Sequence, residues 1–295
     1  MLDQIISKVN DVMYSYILII LLVAGGLYFT IRTKFAPFRL FREQLRAVME
    51  KPNDGKSVSS FQALMVSTAS RVGTGIIVGV STALCLGGFG SVFWMWVIAI
   101  IGSALAFIES TLAQIYKKKG KEVYYGGPAY YIEAALKYRP LAVVFSVLLI
   151  LTYGFGFNML ASYNLQSTFS SYDFYNSDVT PWIIGLIIAA VVCYCLMGGG
   201  SRVIKTTSIL VPVMGVAYIL ISFIIICMNI TGLPSVFKTI FSQAFDMKAN
   251  FGGFGGSSVM YGIKRGLFSN EAGVGSAPNA SASARFQLKR LHQGR

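Results

Sequence analysis

The sequence predicts an all-α polytopic membrane protein with about seven transmembrane helices, two of them discontinuous. Three observations carry this reading. Of 295 residues, 55% are apolar and only 13% are charged, about half the charged share of an ordinary soluble domain. Long uncharged runs recur, and the mean hydropathy is +0.62. Two of the apolar runs contain a Gly-x-Gly with polar and ionisable neighbours near mid-length.

The runs fix the elements in order. Asp11 and Arg32 bracket twenty uncharged residues, and a bilayer core of roughly 30 Å takes about 20 residues of helix at about 1.5 Å each. Residues 14–31 therefore form the first crossing. The others are expected at 61–86, 91–115, 141–163, 181–199, 206–229 and 251–284. The apolar stretch from Val72 to Ile108 is too long for one helix, and Gly87-Gly88-Phe89-Gly90 divides it. Gly126-Gly127-Pro128 reads as a turn before a short interfacial helix, Ala129 to Tyr138.

Net charge is +13, yet the basic residues lie between the apolar runs, where topology signals lie, so a nucleic-acid partner is not expected. Arg32, Lys34, Arg39, Arg42, Arg46, Lys51, Lys56, Lys117, Lys118, Lys119, Lys121, Lys137, Arg139, Arg202, Lys205, Arg285, Lys289, Arg290 and Arg295 fall on one side of the alternating spans. Only Lys8, Lys238 and Lys248 fall on the other. Nineteen against three places the N-terminus outside and the C-terminus in the cytoplasm of a plasma-membrane protein. Gln166 to Thr180, with Asp173 and Asp178 and no basic residue, is expected as an external loop. Cys85, Cys193, Cys195 and Cys227 lie in apolar runs without CxxC spacing and read as packing residues. One histidine, His292, is too few for zinc chemistry. No nucleophile with a base, HExxH or aspartate pair sits in the spans, so no enzyme activity, catalytic residue, metal site or cofactor is expected.

Chemistry is expected at the two interrupted spans. Arg71-Val72-Gly73-Thr74-Gly75 lies near the middle of the second, and Ser269-Asn270-Glu271-Ala272-Gly273-Val274-Gly275-Ser276 just past the middle of the seventh. Ionisable residues at bilayer depth face a cavity or a partner, and non-helical backbone survives there only where protein or water surrounds it. The two spans run in opposite directions, as in an inverted repeat, and paired Gly-interrupted spans mark the midplane site of secondary transporters. At a break, bare N–H groups favour a carboxylate and bare carbonyls a cation. The expected ligands are a small amino acid and Na⁺. Gly73, Thr74, Gly75, Phe268, Ser269, Asn270 and Gly273 are the candidate substrate-binding residues; Val72, Gly73 and Asn270 are the candidate cation-binding residues. Arg71, Glu109, Lys264, Arg265 and Glu271 read as structural ion pairs or, for Glu271, as part of the site. Phe93-Trp94-Met95-Trp96 reads as interfacial belt and packing, and Phe155, Phe157 and Asn158 as core packing or substrate lining.

At these residues the chain resembles the alanine or glycine:cation symporter family. The resemblance rests on Ala69-Ser70-Arg71-Val72-Gly73-Thr74-Gly75 with Val78-Gly79-Val80, on Phe93-Trp94-Met95-Trp96-Val97, and on Glu109 with Leu112-Ala113. It extends through Gly126-Gly127-Pro128-Ala129-Tyr130-Tyr131-Ile132 and the run from Arg265 to Pro278. It implies sodium-coupled symport of alanine or glycine on the inverted-repeat fold of the amino acid-polyamine-organocation transporters. In that fold an extra first helix precedes two repeats of five. Here 14–31 would be the extra helix, 61–229 repeat one and 251–284 the start of repeat two, together a transmembrane domain over 1–284. Ile76 stands where the family pattern has Asn, removing a polar group beside the expected site. Residues 285–295 form a basic tail unlike the family's continuation, expected from a frameshifted or truncated gene. With the later spans missing, a remnant without coupled transport, or half of a split transporter completed by another fragment, is the alternative reading.

Overall fold

The computed structural model describes residues 2–49, 59–120, 124–246 and 258–283. Residues 251–257, expected to open the seventh span, and the tail at 285–295 lie outside them, as does the side chain of Thr74. Among the described residues five helices are long and apolar enough to cross a membrane: Gln4–Arg32, Gly90–Ile115, Arg139–Ser171, Thr180–Met197 and Gly199–Met228. Ser60–Arg71 and Ile76–Gly87, on either side of a break, are apolar enough together to count as a sixth span or a re-entrant loop.

The first helix starts earlier than expected, because Leu2–Val12 is itself helical and feeds through a widened π-type turn, Met13–Ile17, into Leu18–Arg32. The fourth runs past its expected end through a second such turn, Thr152–Gly156, to Ser171, so the segment read as an external loop is helical at its start. Arg202 and Lys205 are not in a loop: Gly199, at φ +69°, makes the whole turn, and the next helix begins at once. Arg202 reaches back, its Nη1 donating to the Tyr194 carbonyl at 2.9 Å with the guanidinium 4.7 Å over the Tyr194 ring. This satisfies a carbonyl near the C-terminal end of Thr180–Met197, where a cation is favoured.

The seventh expected crossing is different in kind. It forms two short helices, Ser258–Asn270 and Ser276–Ser283, and is not among the spans long and apolar enough to cross alone. Lys264, Arg265, Glu271 and many small residues dilute its apolar content. Protein shelters it instead of lipid: from 258 to 283 Gly273 is the sole exposed residue. Thr180–Met197 has no buried residue, the pattern of a lipid-facing helix. Phe155 and Asn158, read as core or lining, are exposed on their helix, and Asn158 donates to the Gly154 carbonyl. The cysteines are free, and Cys85, Cys193 and Cys227 are exposed, so they do not pack inside the chain.

The chain forms two compact units. One comprises Met1–Leu45, Ile76–Glu109 and Val216–Ala277. Its aromatic cluster joins Gly90–Ile115 to a helix absent from the sequence reading, Leu233–Ala244. The Phe93 ring lies 5.6 Å from that of Phe241 and 5.0 Å from that of Phe245, and Trp94 Nε1 donates to the Ala244 carbonyl at 3.1 Å. The other unit comprises Arg46–Gly75, Ser110–Gly215 and Pro278–Arg295. Here Gly126-Gly127-Pro128 does precede a short helix, Pro128–Leu136, but it is more than an anchor. A Cβ on Gly127, at φ +131°, would overlap Asn279 Oδ1, and one on Gly126 would lie 3.1 Å from Ala282 Cβ. The glycines admit Ser276–Ser283, and the Gln114 amide donates to the Ser281 carbonyl beside them.

Candidate functional site

Both interruptions are present where the Gly-x-Gly strings place them. Ser59 and Gln62 form a reciprocal cap that starts Ser60–Arg71. That helix stops at Val72, whose N–H still donates to the Thr68 carbonyl at 2.8 Å while its own ψ turns to 83°. Val72 and Gly73 are non-helical, and a helix resumes at Thr74. Val72 is exposed. A Cβ on Gly73 would meet no described atom within 4 Å. The Arg71 Nε is buried without a hydrogen-bond partner among the described residues.

The second break is sharper. Glu271, Gly273 and Gly275 all have left-handed backbone, at φ +51°, +84° and +100°, a region that costs an L-residue such as Glu roughly 1–2 kcal/mol. Two of its N–H groups are met locally. The Glu271 N–H donates to the Leu267 carbonyl and the Val274 N–H to the Glu271 carbonyl, both at 3.2 Å. The Glu271 side chain, 3% exposed, accepts from the Ser276 hydroxyl at 2.5 Å. Carboxylates are favoured at that helix start by the peptide dipoles.

A seam of small residues seats this segment on Gly90–Ile115. A Cβ on Gly262 would come within 2.6 Å of the Ser91 carbonyl oxygen and of Trp94 Cβ, and one on Gly266 within 3.3 Å of Met95 Cα and 3.2 Å of Ile98. One turn on, the roles reverse: Gly102 makes room for Asn270, whose Nδ2 would overlap a Cβ there. At the end of the seam Glu109 Oε1 accepts from the Gly273 N–H at 2.7 Å. Gly262-x-x-x-Gly266 is the small-xxx-small signature of close helix approach. It was legible in the sequence, and reading the segment only for its break missed it.

The first helix braces the same segment. Tyr14, in the π-type turn, donates to the Lys264 carbonyl at 3.2 Å, and the Lys264 ammonium lies 5.8 Å over the Tyr14 ring. Leu22 sits against Gly273, 2.9 Å from where a Cβ would be. Gly273→Ala therefore combines left-handed strain with a clash against Leu22. It is expected to lower stability by roughly 1–2 kcal/mol, read as a fall in the melting temperature of the detergent-solubilised chain.

Of the expected site residues, Phe268, Ser269, Asn270 and Gly273 lie together in and just before the second break, in one unit. Val72, Gly73, Thr74 and Gly75 lie together at the first, in the other. The Asn270 carboxamide, half-buried against Gly102, makes no hydrogen bond among the described residues. The Gly273 N–H is held by Glu109, a residue that the sequence reading left among the structural ion pairs. Among the described residues, no cluster of three or more metal-ligating side chains occurs.

A sequence profile described as the sodium:alanine symporter family matches residues 1–294. The chain belongs to the sodium:alanine symporter family. This is a family of membrane transporters, not enzymes, and the spans described above fit a multi-pass member of it. Over 286 residues the chain is 45% identical to "Probable sodium/glutamine symporter GlnT" of Bacillus subtilis, covering 96% of this chain and 59% of that protein. It is 43% identical over 282 residues to "Amino-acid carrier protein AlsT" of the same organism, covering 96% and 60%. It is 37% identical over 303 residues to "Sodium/alanine symporter AgcS" of Methanococcus maripaludis, covering 99% and 64%. The chain thus spans about three fifths of the length of these relatives.

Proposed function

We propose that this chain carries the amino-acid and sodium binding elements of a sodium-coupled symporter whose substrate is a small neutral amino acid, alanine or glycine. The observation that carries this is the second break. Left-handed backbone at Glu271, Gly273 and Gly275, in a segment otherwise buried or half-buried, follows directly on the Asn270 carboxamide, which makes no hydrogen bond among the described residues. Such a stretch presents peptide groups to a small zwitterion at a depth where loose backbone would otherwise be costly. Family membership supports Na⁺ as the coupling ion. The substrate set is Phe268, Ser269, Asn270 and Gly273 from the second break and Gly73, Thr74 and Gly75 from the first. The Val72 and Gly73 carbonyls and Asn270 are the sodium candidates.

The proposed orientation, N-terminus outside and C-terminus cytoplasmic, follows from the basic residues. Arg202 and Lys205 stand in the first turns of Gly199–Met228, and alternation of the spans along the sequence assigns them to the side that carries Arg32 to Arg46 and Lys117 to Arg139. A cysteine replacing Asn176 is expected to react with an impermeant maleimide in intact cells, and one replacing Lys34 only after permeabilisation. The reverse pattern would invert the topology.

The functional test is sodium-dependent uptake of radiolabelled alanine by cells expressing the chain, alone and together with the part of a relative such as AgcS that this chain does not match. Glycine and glutamine serve as competitors. Alanine accumulation that collapses without sodium in either case supports the reading, and strong competition by glutamine alone would move the substrate class. Absence of uptake in both, with both polypeptides in the membrane, favours a non-transporting remnant.

A further inference from the structure

We propose that Glu109 is a positioning residue that fixes the shape of the second break by accepting the Gly273 N–H. Three observations lead there. Gly273 is in left-handed backbone at φ +84°, so the helix ladder offers its N–H no acceptor. Glu109 Oε1 lies 2.7 Å from that nitrogen, the short end of the N–H···O range. The carboxylate comes from another helix, Gly90–Ile115, and the seam through Gly262, Gly266 and Gly102 sets how close that helix comes and in what register. The other carboxylate of the break, Glu271, is turned back onto the Ser276 hydroxyl and holds the downstream side. Glu109 holds the middle, at the one exposed residue of the segment.

A consequence follows for ligand binding, and it alone rests on the function proposed above. A protein carboxylate already occupies the Gly273 N–H, so a substrate carboxylate reaches that group only by displacing Glu109. The local part of the proposal concerns reach and acceptor chemistry, and it separates cleanly from a role in which Glu109 merely supplies negative charge. Glu109→Gln keeps a carbonyl oxygen at the same reach and loses the charge. Glu109→Asp keeps the charge and withdraws the oxygens by one methylene, beyond hydrogen-bond distance of Gly273.

The experiment is hydrogen–deuterium exchange with mass spectrometry on the chain in lipid nanodiscs, following fragments that span 271–276. Relative to the unmodified chain, Glu109→Asp is expected to speed exchange there on the order of tenfold, as loss of a charge-assisted hydrogen bond implies. Glu109→Gln is expected to stay within about threefold, since a neutral acceptor is weaker but present. Exchange in 90–105 should move in neither variant, which guards against general unfolding. If Gln speeds exchange and Asp does not, charge matters and position does not, and the proposal is overturned. No change in either variant overturns it as well. This readout needs no transport or ligand, so it stands or falls separately from the proposed symport.

Discussion

Replacing Gly262 by leucine is expected to unseat Ser258–Asn270 from Gly90–Ile115 and to destabilise the chain by roughly 3 kcal/mol, the upper part of the range for overpacking. Even a Cβ would stand 2.6 Å from the Ser91 carbonyl oxygen, and backbone in the first turn of Gly90–Ile115 cannot swing aside as a side-chain tip can. Ser91 is itself fully buried, so no free space lies on its far side. Gly266→Leu meets Met95 Cα at 3.3 Å and should cost less. The check is the midpoint of heat-induced loss of the monodisperse species in detergent, expected in the order unmodified, Gly266→Leu, Gly262→Leu. Equal midpoints for all three would show that the seam does not hold the broken segment.

Gly102→Leu is expected to act on binding, with a smaller loss of stability than Gly262→Leu. Its new side chain collides with the Asn270 carboxamide, the far end of a flexible group, which can rotate away. What is lost is the position of the one side-chain amide at the break. Amino-acid affinity should fall at least about tenfold, the worth of a single well-placed polar contact, while the melting midpoint shifts by less than that of Gly262→Leu. Gly102→Ala, which adds only the colliding methyl, should give an intermediate loss. Scintillation proximity binding of labelled alanine in sodium reports the first quantity. Unchanged affinity in Gly102→Leu would remove Asn270 from the site.

Much of this was legible in the sequence, for identifiable reasons. Spans of lipid-facing helix announce themselves by apolar length, so Gly90–Ile115 falls within one residue of its expected bounds and Thr180–Met197 within two. The breaks were legible because glycine, ionisable and hydroxyl residues coincide at membrane depth, a combination that a continuous helix has no use for. The joint at Gly199 was not: the spans expected at 181–199 and 206–229 leave a connection of several residues, whereas one left-handed residue suffices. Leu233–Ala244 was missed because its apolar face packs on Phe93 and Trp94 without making a span. The contact between Glu109 and Gly273 joins residues 164 apart in the chain. No local periodicity reports such a pairing, although the spacing Gly262, Gly266, Asn270 already showed which face of the segment meets another helix.

Under the function proposed above, the interrupted helices are where the amino acid is held. Hydrogen–deuterium exchange of the chain in nanodiscs, with and without alanine and sodium, tests it most directly. Slowed exchange in fragments covering 71–76 and 270–276, only when alanine and sodium are both present, is the predicted result. Alanine bound in sodium with neither fragment slowed would place the substrate elsewhere and contradict it.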